Sequence, residues 1–318
     1  MPGAYFISYF SALGMEPAFP KIVTMNIVQL IFRWLPDFLY FRELNLTKQQ
    51  WFFYKWVKRH LKWAYMSIEC EKVIPPHDVV ENQSIFMYWK QGWENAPELV
   101  KRCLVCVRAN AGGHPLILLD ENNLTQYVKM PAFIEKKHAE GIIPEANYSD
   151  MLRTCLLLQY GGYWLDATCL LTSSFPEVID KSEYFMFQRH LFPDWASPIK
   201  CSNWFIHSKK ESPILRGMKN WLFNYWQRKN YIINYYMFHF ALSALVEEDK
   251  QCKELWQIMP YVCNMNPHVL LFSFSRKYTP EYYQFIKDSC FIHKLSYKFD
   301  KKLLESEENN ILKHFLEK

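Results

Sequence analysis

The chain has 318 residues, of which 50 % are hydrophobic, 22 % charged and 18 % aromatic, and its formal net charge is +5. That composition excludes a disordered or low-complexity polypeptide and suffices for one large or two small globular domains. The modest positive charge comes with no nucleic-acid-binding motif, so no nucleic-acid partner is expected.

Residues 1–69 hold most of the positive excess, with eight Lys or Arg against four acids. The uncharged run at residues 1–15 is interrupted by Pro2, Gly3 and Gly14. It is shorter than the ~20 apolar residues that span a bilayer, so no transmembrane helix is expected. The start also lacks the charged region and cleavage site of a signal peptide, and nine cysteines, an odd number, fit reduced thiols in the cytoplasm. Cys103 and Cys106 form a C-x-x-C inside an apolar run, which reads as buried structural thiols.

"TKQQWFFYKWVKRHLKW" (47–63) predicts a helix opened by a Thr47/Gln50 capping box, with Lys48, Lys55, Arg59 and Lys62 along one stripe. Two readings stay open: a helix packed on the rest of the chain with a solvated basic face, or one lying on an anionic membrane surface.

From Ser84 the chain alternates short apolar runs with helical patterns, as an α/β nucleotide-binding domain does. "SIFMYW" predicts a strand, "APELVKRCLVCVRAN" a helix, "HPLILLD" a strand ending at Asp120, and "PAFIEKKHAEG" a short helix. "NYSDMLRTCLLLQYGG" predicts a helix with Ser149 as N-cap and Gly161 as its stop, and "YWLD" a strand that delivers Asp166. Ligands of open α/β sheets gather at strand carboxyl ends, which places Trp89, Asp120 and Asp166 around one crevice. After Ser174 the pattern is α+β: strands "SEYFMF" and "NWFIHS", helices "PILRGMKNWLFNYWQR" and "YYMFHFALSALVEE", a strand or loop "CFIHKLSYKFD", and a charged, exposed helix from Lys301.

Asp150 and Arg153 stand at i and i+3, so a carboxylate and a guanidinium can face one polyhydroxylated ligand together. Gly161 and Gly162 let the backbone pass close to something bulky, and Asp166 leaves a buried strand where a carboxylate needs a cation or hydrogen-bond donors. No Walker, dinucleotide, G-x-S-x-G or H-E-x-x-H motif is present.

"SDMLRTCLLLQYGGYWLDATCLLT" resembles the core signature of the capsular polysaccharide synthesis protein family, which is related to glycosyltransferases whose sugar-binding region contains Asp-x-Asp. "YWKQGWENAPELVKRC" resembles that family's first strand and helix, and "NPH" and "FIHKLSYK" its C-terminal elements, so the similarity runs over residues 85–298. The resemblance implies a glycosyltransferase A-type, Rossmann-like α/β catalytic domain (71–300). A helical extension (1–70) would precede it, its C-terminal portion would be α+β, and a charged helix (301–318) would follow.

It also implies transfer of a sugar, with retention of configuration, from a nucleotide-diphosphate donor to a glycan or lipid-linked glycan hydroxyl, a UDP-sugar being favoured. Asp150 and Arg153 would contact donor-sugar hydroxyls, and Asp166 would take the first aspartate position. Thr168 fills the second, where relatives place a direct metal ligand. Trp89 and Gln91 would meet the nucleobase, and Ser149, Gly161, Gly162 and Lys294 complete the donor-binding set. His268 and His293 join Asp166 and Thr168 as candidate ligands for Mn²⁺ or Mg²⁺. With a single carboxylate, metal is expected to bind weakly until the donor supplies its own oxygens. The missing second aspartate also leaves open a non-catalytic nucleotide- or glycan-binding relative, and the basic N-terminus an assembly partner at the membrane surface.

Overall fold

The computed structural model describes residues 42–189 and 197–317. The uncharged run at 1–15 lies outside them. The strands are β1 (Ile85–Tyr88), β2 (Leu116–Leu119), β3 (Gly162–Leu165), β4 (Cys169–Leu171), β5 (Tyr184–Gln188), β6 (Cys201–Ser208) and β7 (Ile292–Lys294). Five of them form a central sheet in the order β2-β1-β3-β6-β5, and β4 pairs with β7 apart from it. β1 is parallel to both β2 and β3, whereas β6 runs antiparallel to β3 and to β5. The fold is therefore mixed α/β with a central sheet that contains parallel strands. β1 and β3 are buried at every position, which is why they read as unbroken apolar runs.

The longer helices are α1 (Arg42–Arg59), α2 (Glu98–Asn110), α3 (Ala132–Ala139), α4 (Glu145–Tyr160), α5 (Pro213–Arg228), α6 (Met237–Glu248), α7 (Lys250–Ile258) and α8 (Pro280–Asp288). Prolines open several of them, because a residue with fixed φ and no N–H loses nothing in the first turn: Pro97 before α2, Pro131 before α3 and Pro144 before α4. Pro144 starts α4 five residues ahead of Ser149, which therefore sits inside the helix and is not its cap. Likewise α1 is helical from Arg42, so Thr47 lies inside the helix and not at its start.

α1 belongs to the same packed core as the sheet. Tyr54, Val57, Trp63 and Ala64 are buried in the cluster that holds β1 and β3. Two asparagines of α5 clamp the turn that follows α1, Asn220 donating to the Ala64 carbonyl at 3.0 Å and Asn224 to that of Met66 at 2.6 Å. The expected basic stripe faces outward, with Lys55, Arg59 and Lys62 exposed.

The tail differs from expectation. Its last helix, Ile311–Glu317, buries Ile311, Leu312 and Phe315 against Leu99, Cys103 and Leu270, because apolar residues at i, i+1 and i+4 make one face that the flanking charges mask. All nine cysteines are thiols, and Cys103 is fully buried. Among the described residues no helix is long and apolar enough to cross a membrane.

Candidate active site

The connection from β1 through α2 leads to β2 on one side, and the next one leads to β3 on the other, so the sheet order reverses between β1 and β3. A crevice opens at such a switch point, outside the carboxyl ends of the strands. Trp89 follows β1 there and Asp166 follows β3. Trp89 packs against the small cluster of Ala96, Val100 and Ala167, the last next to Asp166, and meets Tyr297 edge-on at 5.5 Å. Its indole Nε1 is buried and has no hydrogen-bond partner among the described residues. Gln91 lies exposed just beyond Trp89. Asp120 Oδ1 accepts from the backbone N–H groups of Asn122 and Asn123 and closes the turn after β2.

A row of alternating charge lines the crevice. Arg153, on the buried face of α4, approaches Asp150 Oδ1 at 3.3 Å and Asp166 Oδ1 at 3.2 Å. It also donates to the Asn203 carbonyl at 2.7 Å and to Ser149 Oγ at 3.0 Å, and its guanidinium lies 5.1 Å from the Trp164 ring centroid. Asp166 further accepts from Trp164 Nε1 at 3.0 Å and from the Lys294 ammonium, Nζ to Oδ2, at 2.9 Å. Lys294 donates to Thr168 Oγ1 as well, at 2.6 Å.

Local folding explains this convergence. Asp166 and Thr168 do not share a strand face. They flank a turn in which the Cys169 N–H returns to the Asp166 carbonyl, and β4 then pairs with β7 so that Cys169 is opposite Lys294. The ammonium arrives from 128 residues away to face both side chains.

The two carboxylates differ electrostatically. Burial lifts the Asp150 carboxyl to about 7 with the Asp166 charge adding to it, while Arg153 and the Asn203 amide pull the other way. Burial would raise Asp166 too, but the charges of Lys294 and Arg153 and the hydrogen bonds from Lys294 and Trp164 outweigh it, so it titrates below the usual range. For Lys294, burial works against the charge and Asp166 prevails, leaving the ammonium protonated well above neutrality.

Three residues escaped the sequence reading. Asn203, on β6, donates through Nδ2 to Asp150 Oδ1 at 2.8 Å. His239, on α6, has a buried Nδ1 with no partner among the described residues, and burial first, then Arg153, lowers its titration to about 4. Tyr235, 66 % exposed, lies close enough for the charges of Asp150 and Asp166 to act on its phenol. The only mark of Asn203 in the sequence is its place at the start of the "NWFIHS" run.

Several expected site residues lie elsewhere. Gly161 and Gly162 open β3 at the end away from Asp166, roughly 13 Å off at about 3.3 Å per residue. Their bare Cα atoms admit protein and not a donor: a Cβ on Gly161 would fall 2.1 Å from Asn82 Oδ1, and one on Gly162 2.3 Å from the Ser84 carbonyl. Ser149 stays at the site, where its Oγ accepts from Arg153 at 3.0 Å. His293 is fully buried with Nε2 3.3 Å from the Lys287 carbonyl, and strand alternation turns it away from the face that carries Lys294. His268 holds the Asn264 carbonyl through Nδ1 at 2.7 Å and meets Trp204 edge-on.

The donor set does not fit a divalent cation. An ammonium stands within hydrogen-bond distance of both Asp166 and Thr168, a guanidinium neutralises the other oxygen of Asp166, and neither histidine joins them. Among the described residues no group of three or more His, Cys, Asp or Glu is arranged to hold a metal ion.

The sequence matches the family model described as "Capsular polysaccharide synthesis protein" over residues 40–315. The O-glycosyltransferase PaGT of Phomopsis amygdali is 27 % identical over a 173-residue alignment that covers 49 % of this chain and 41 % of that protein. The chain thus matches well under half the length of that curated relative. Among solved structures, PaToxG Glycosyltransferase shares 14 % identity at a TM-score of 0.35, covering 68 % of this chain and 85 % of that one.

Proposed function

The chain belongs to the capsular polysaccharide synthesis protein family, and from that premise we propose that it is a glycosyltransferase of the A-type fold. In this reading it moves a sugar from a nucleotide-diphosphate donor, a UDP-sugar being favoured, to a hydroxyl of a glycan or lipid-linked glycan. The observation that carries the reading is the row Asp150, Arg153, Asp166, Lys294 at the switch point of the sheet. A sugar nucleotide needs both of its signs. Carboxylates accept from sugar hydroxyls, and fixed cations offset the charge that collects on the departing diphosphate.

Asp150 and Arg153 are assigned to the donor-sugar hydroxyls and the Trp89 ring, with Gln91, to the nucleobase. In the transfer the bond between the anomeric carbon and the phosphate oxygen breaks and its electron pair leaves with the nucleoside diphosphate. The acceptor oxygen bonds to the anomeric carbon, and its proton passes to the departing phosphate oxygen on the same face, which retains the configuration. The thiol state of all nine cysteines supports a reducing, cytoplasmic setting. The exposed Lys55, Arg59 and Lys62 support peripheral contact with an anionic membrane surface.

A thermal-shift screen against UDP- and GDP-sugars tests the reading, followed by a transfer assay on each donor that stabilises the protein. If no sugar nucleotide binds, the reading fails. Binding with neither transfer nor donor hydrolysis would favour a non-catalytic relative.

A further inference from the structure

We infer that Lys294 is the resident cation of this site. Its ammonium, seated between Asp166 and Thr168, takes the position of a divalent metal between the Asp166 turn and the donor diphosphate, so the donor binds without metal. The inference rests on the reading of the crevice as a sugar-nucleotide site.

An ammonium carries three N–H donors in roughly tetrahedral array. Two are directed at Asp166 Oδ2 and Thr168 Oγ1. The third has no partner among the described residues, and the side chain is not sealed off, keeping 20 % of its accessible surface. Backbone pairing of β4 with β7, continued by the Leu295 N–H to the Thr168 carbonyl at 2.9 Å, fixes the base of the side chain. The cation is thus already in place before a ligand arrives, which is what electrostatic stabilisation of a leaving group requires.

The charges agree with this assignment. Asp166 has one negative charge and already meets two positive groups, Arg153 on Oδ1 and Lys294 on Oδ2. A divalent ion entering here would face two cations across a few ångströms with Asp166 as the carboxylate to hold it, whereas a diphosphate would meet the remaining N–H of the Lys294 ammonium. Thr168 fits the same logic, because a neutral hydroxyl oxygen is a good acceptor for an ammonium and a weak ligand for Mg²⁺ or Mn²⁺. When the bond to the anomeric carbon breaks, its electron pair ends on a phosphate oxygen. The ammonium answers with a charge-assisted hydrogen bond and need not give up its proton.

The test is calorimetric titration of the whole chain with UDP and with GDP, in chelator and in Mn²⁺, for the wild type, Lys294→Met and Lys294→Arg. At least one nucleotide is expected to bind the wild type in chelator with a Kd within about threefold of that in Mn²⁺. Lys294→Met should weaken that binding by about tenfold or more in chelator, and Lys294→Arg, which keeps the charge, by less than about fivefold. Mn²⁺ should recover part of the loss in Lys294→Met, where the Asp166 and Thr168 oxygens are released, while adding nothing to the wild type.

Wild-type binding that chelator abolishes and Mn²⁺ restores would overturn the inference and leave the sugar-nucleotide reading standing. So would a Lys294→Met protein that binds in chelator as tightly as the wild type. If neither nucleotide binds under either condition, the reading of the site falls and the inference with it. The wild-type and Lys294→Arg titrations decide the matter even if Lys294→Met does not fold.

Discussion

Arg153 and Asp166, thirteen residues apart, meet at 3.2 Å and tie the buried face of α4 to the turn after β3. The guanidinium manages this while also reaching Asp150, Ser149 and the Asn203 carbonyl and lying against Trp164. No other side chain offers a planar fork of five donors that can serve those partners from one position.

Arg153→Lys should therefore behave as a severe change despite keeping the charge. A lysine at this depth reaches at most one carboxylate and abandons the Asn203 carbonyl. With the donor found by the screen above, kcat/KM is expected to fall by at least about tenfold, as the loss of fixed charge-assisted donors would have it. Kinetics within threefold of wild type would remove Arg153 from the donor site.

Gly162→Ala should damage the fold and spare the site. At φ +89° and with its new Cβ 2.3 Å from the Ser84 carbonyl, alanine must force β3 away from the start of β1. More than about 2 kcal/mol of stability should be lost, the sum of a left-handed backbone and a backbone clash. Urea denaturation measures that loss. In the folded fraction the donor Kd should be unchanged, and a tenfold change in Kd would return the glycine to the binding set.

Trp63→Ala tests whether the segment after α1 is a structural part of the domain. Trp63 is 5 % exposed, meets the Trp221 ring at 5.9 Å and shares the main core with the sheet. Truncation should cost about 3–5 kcal/mol, as for other buried aromatics. A loss below about 1 kcal/mol would mean that this segment docks loosely.

The parts of this arrangement that were legible in the sequence are those with a local cause. β1 and β3 are short apolar runs cut off by a polar or charged residue, so their ends, and with them Trp89 and Asp166, could be placed from pattern alone. Asp150 and Arg153 were legible because helical spacing puts them on one face. The function of Gly161 and Gly162 was misread because a glycine says only that something comes close. Here it is Asn82 and Ser84 of the chain itself.

Asn203 and the seat of the Lys294 ammonium depend on how β6 and β7 dock, 50 and 128 residues from their partners. No periodicity records such pairings. The helix starts at Ser149 and Thr47 were misplaced for a related reason: a capping side chain is a local preference, and Pro144, with its fixed φ, or a helix already under way, overrides it.

Asp150 should make stability fall as pH rises. Its folded carboxyl titrates at about 7, chiefly through burial, against 3.8 for the free side chain. Between those values the folded protein keeps a proton that the unfolded chain has released, so this group's contribution is full below about pH 4 and lost as pH passes 7. Asp150→Asn preserves an acceptor for the Asn203 amide and cannot ionise. Its stability measured relative to wild type should therefore increase from pH 5 to pH 8. A difference that stays flat across that range would show that Asp150 titrates as an ordinary surface carboxylate.

Asn203→Ala separates position from charge in the same corner. The Asn203 Nδ2 is 2.8 Å from Asp150 Oδ1 and favours the ionised carboxylate, while the bond from Arg153 goes to the Asn203 backbone and survives the substitution. Removing the amide takes a donor from a buried charge, and the proton on Asp150 becomes harder to release. If the ionised carboxylate is what accepts from the donor-sugar hydroxyl, the acid limb of kcat/KM should move to higher pH. Activity at neutral pH should then fall about tenfold and recover in alkaline buffer, as expected for a hydrogen bond to a charged group. A loss that is equal at every pH would make Asn203 a packing residue of β6, and a profile identical to wild type would free Asp150 from any part in the pH dependence.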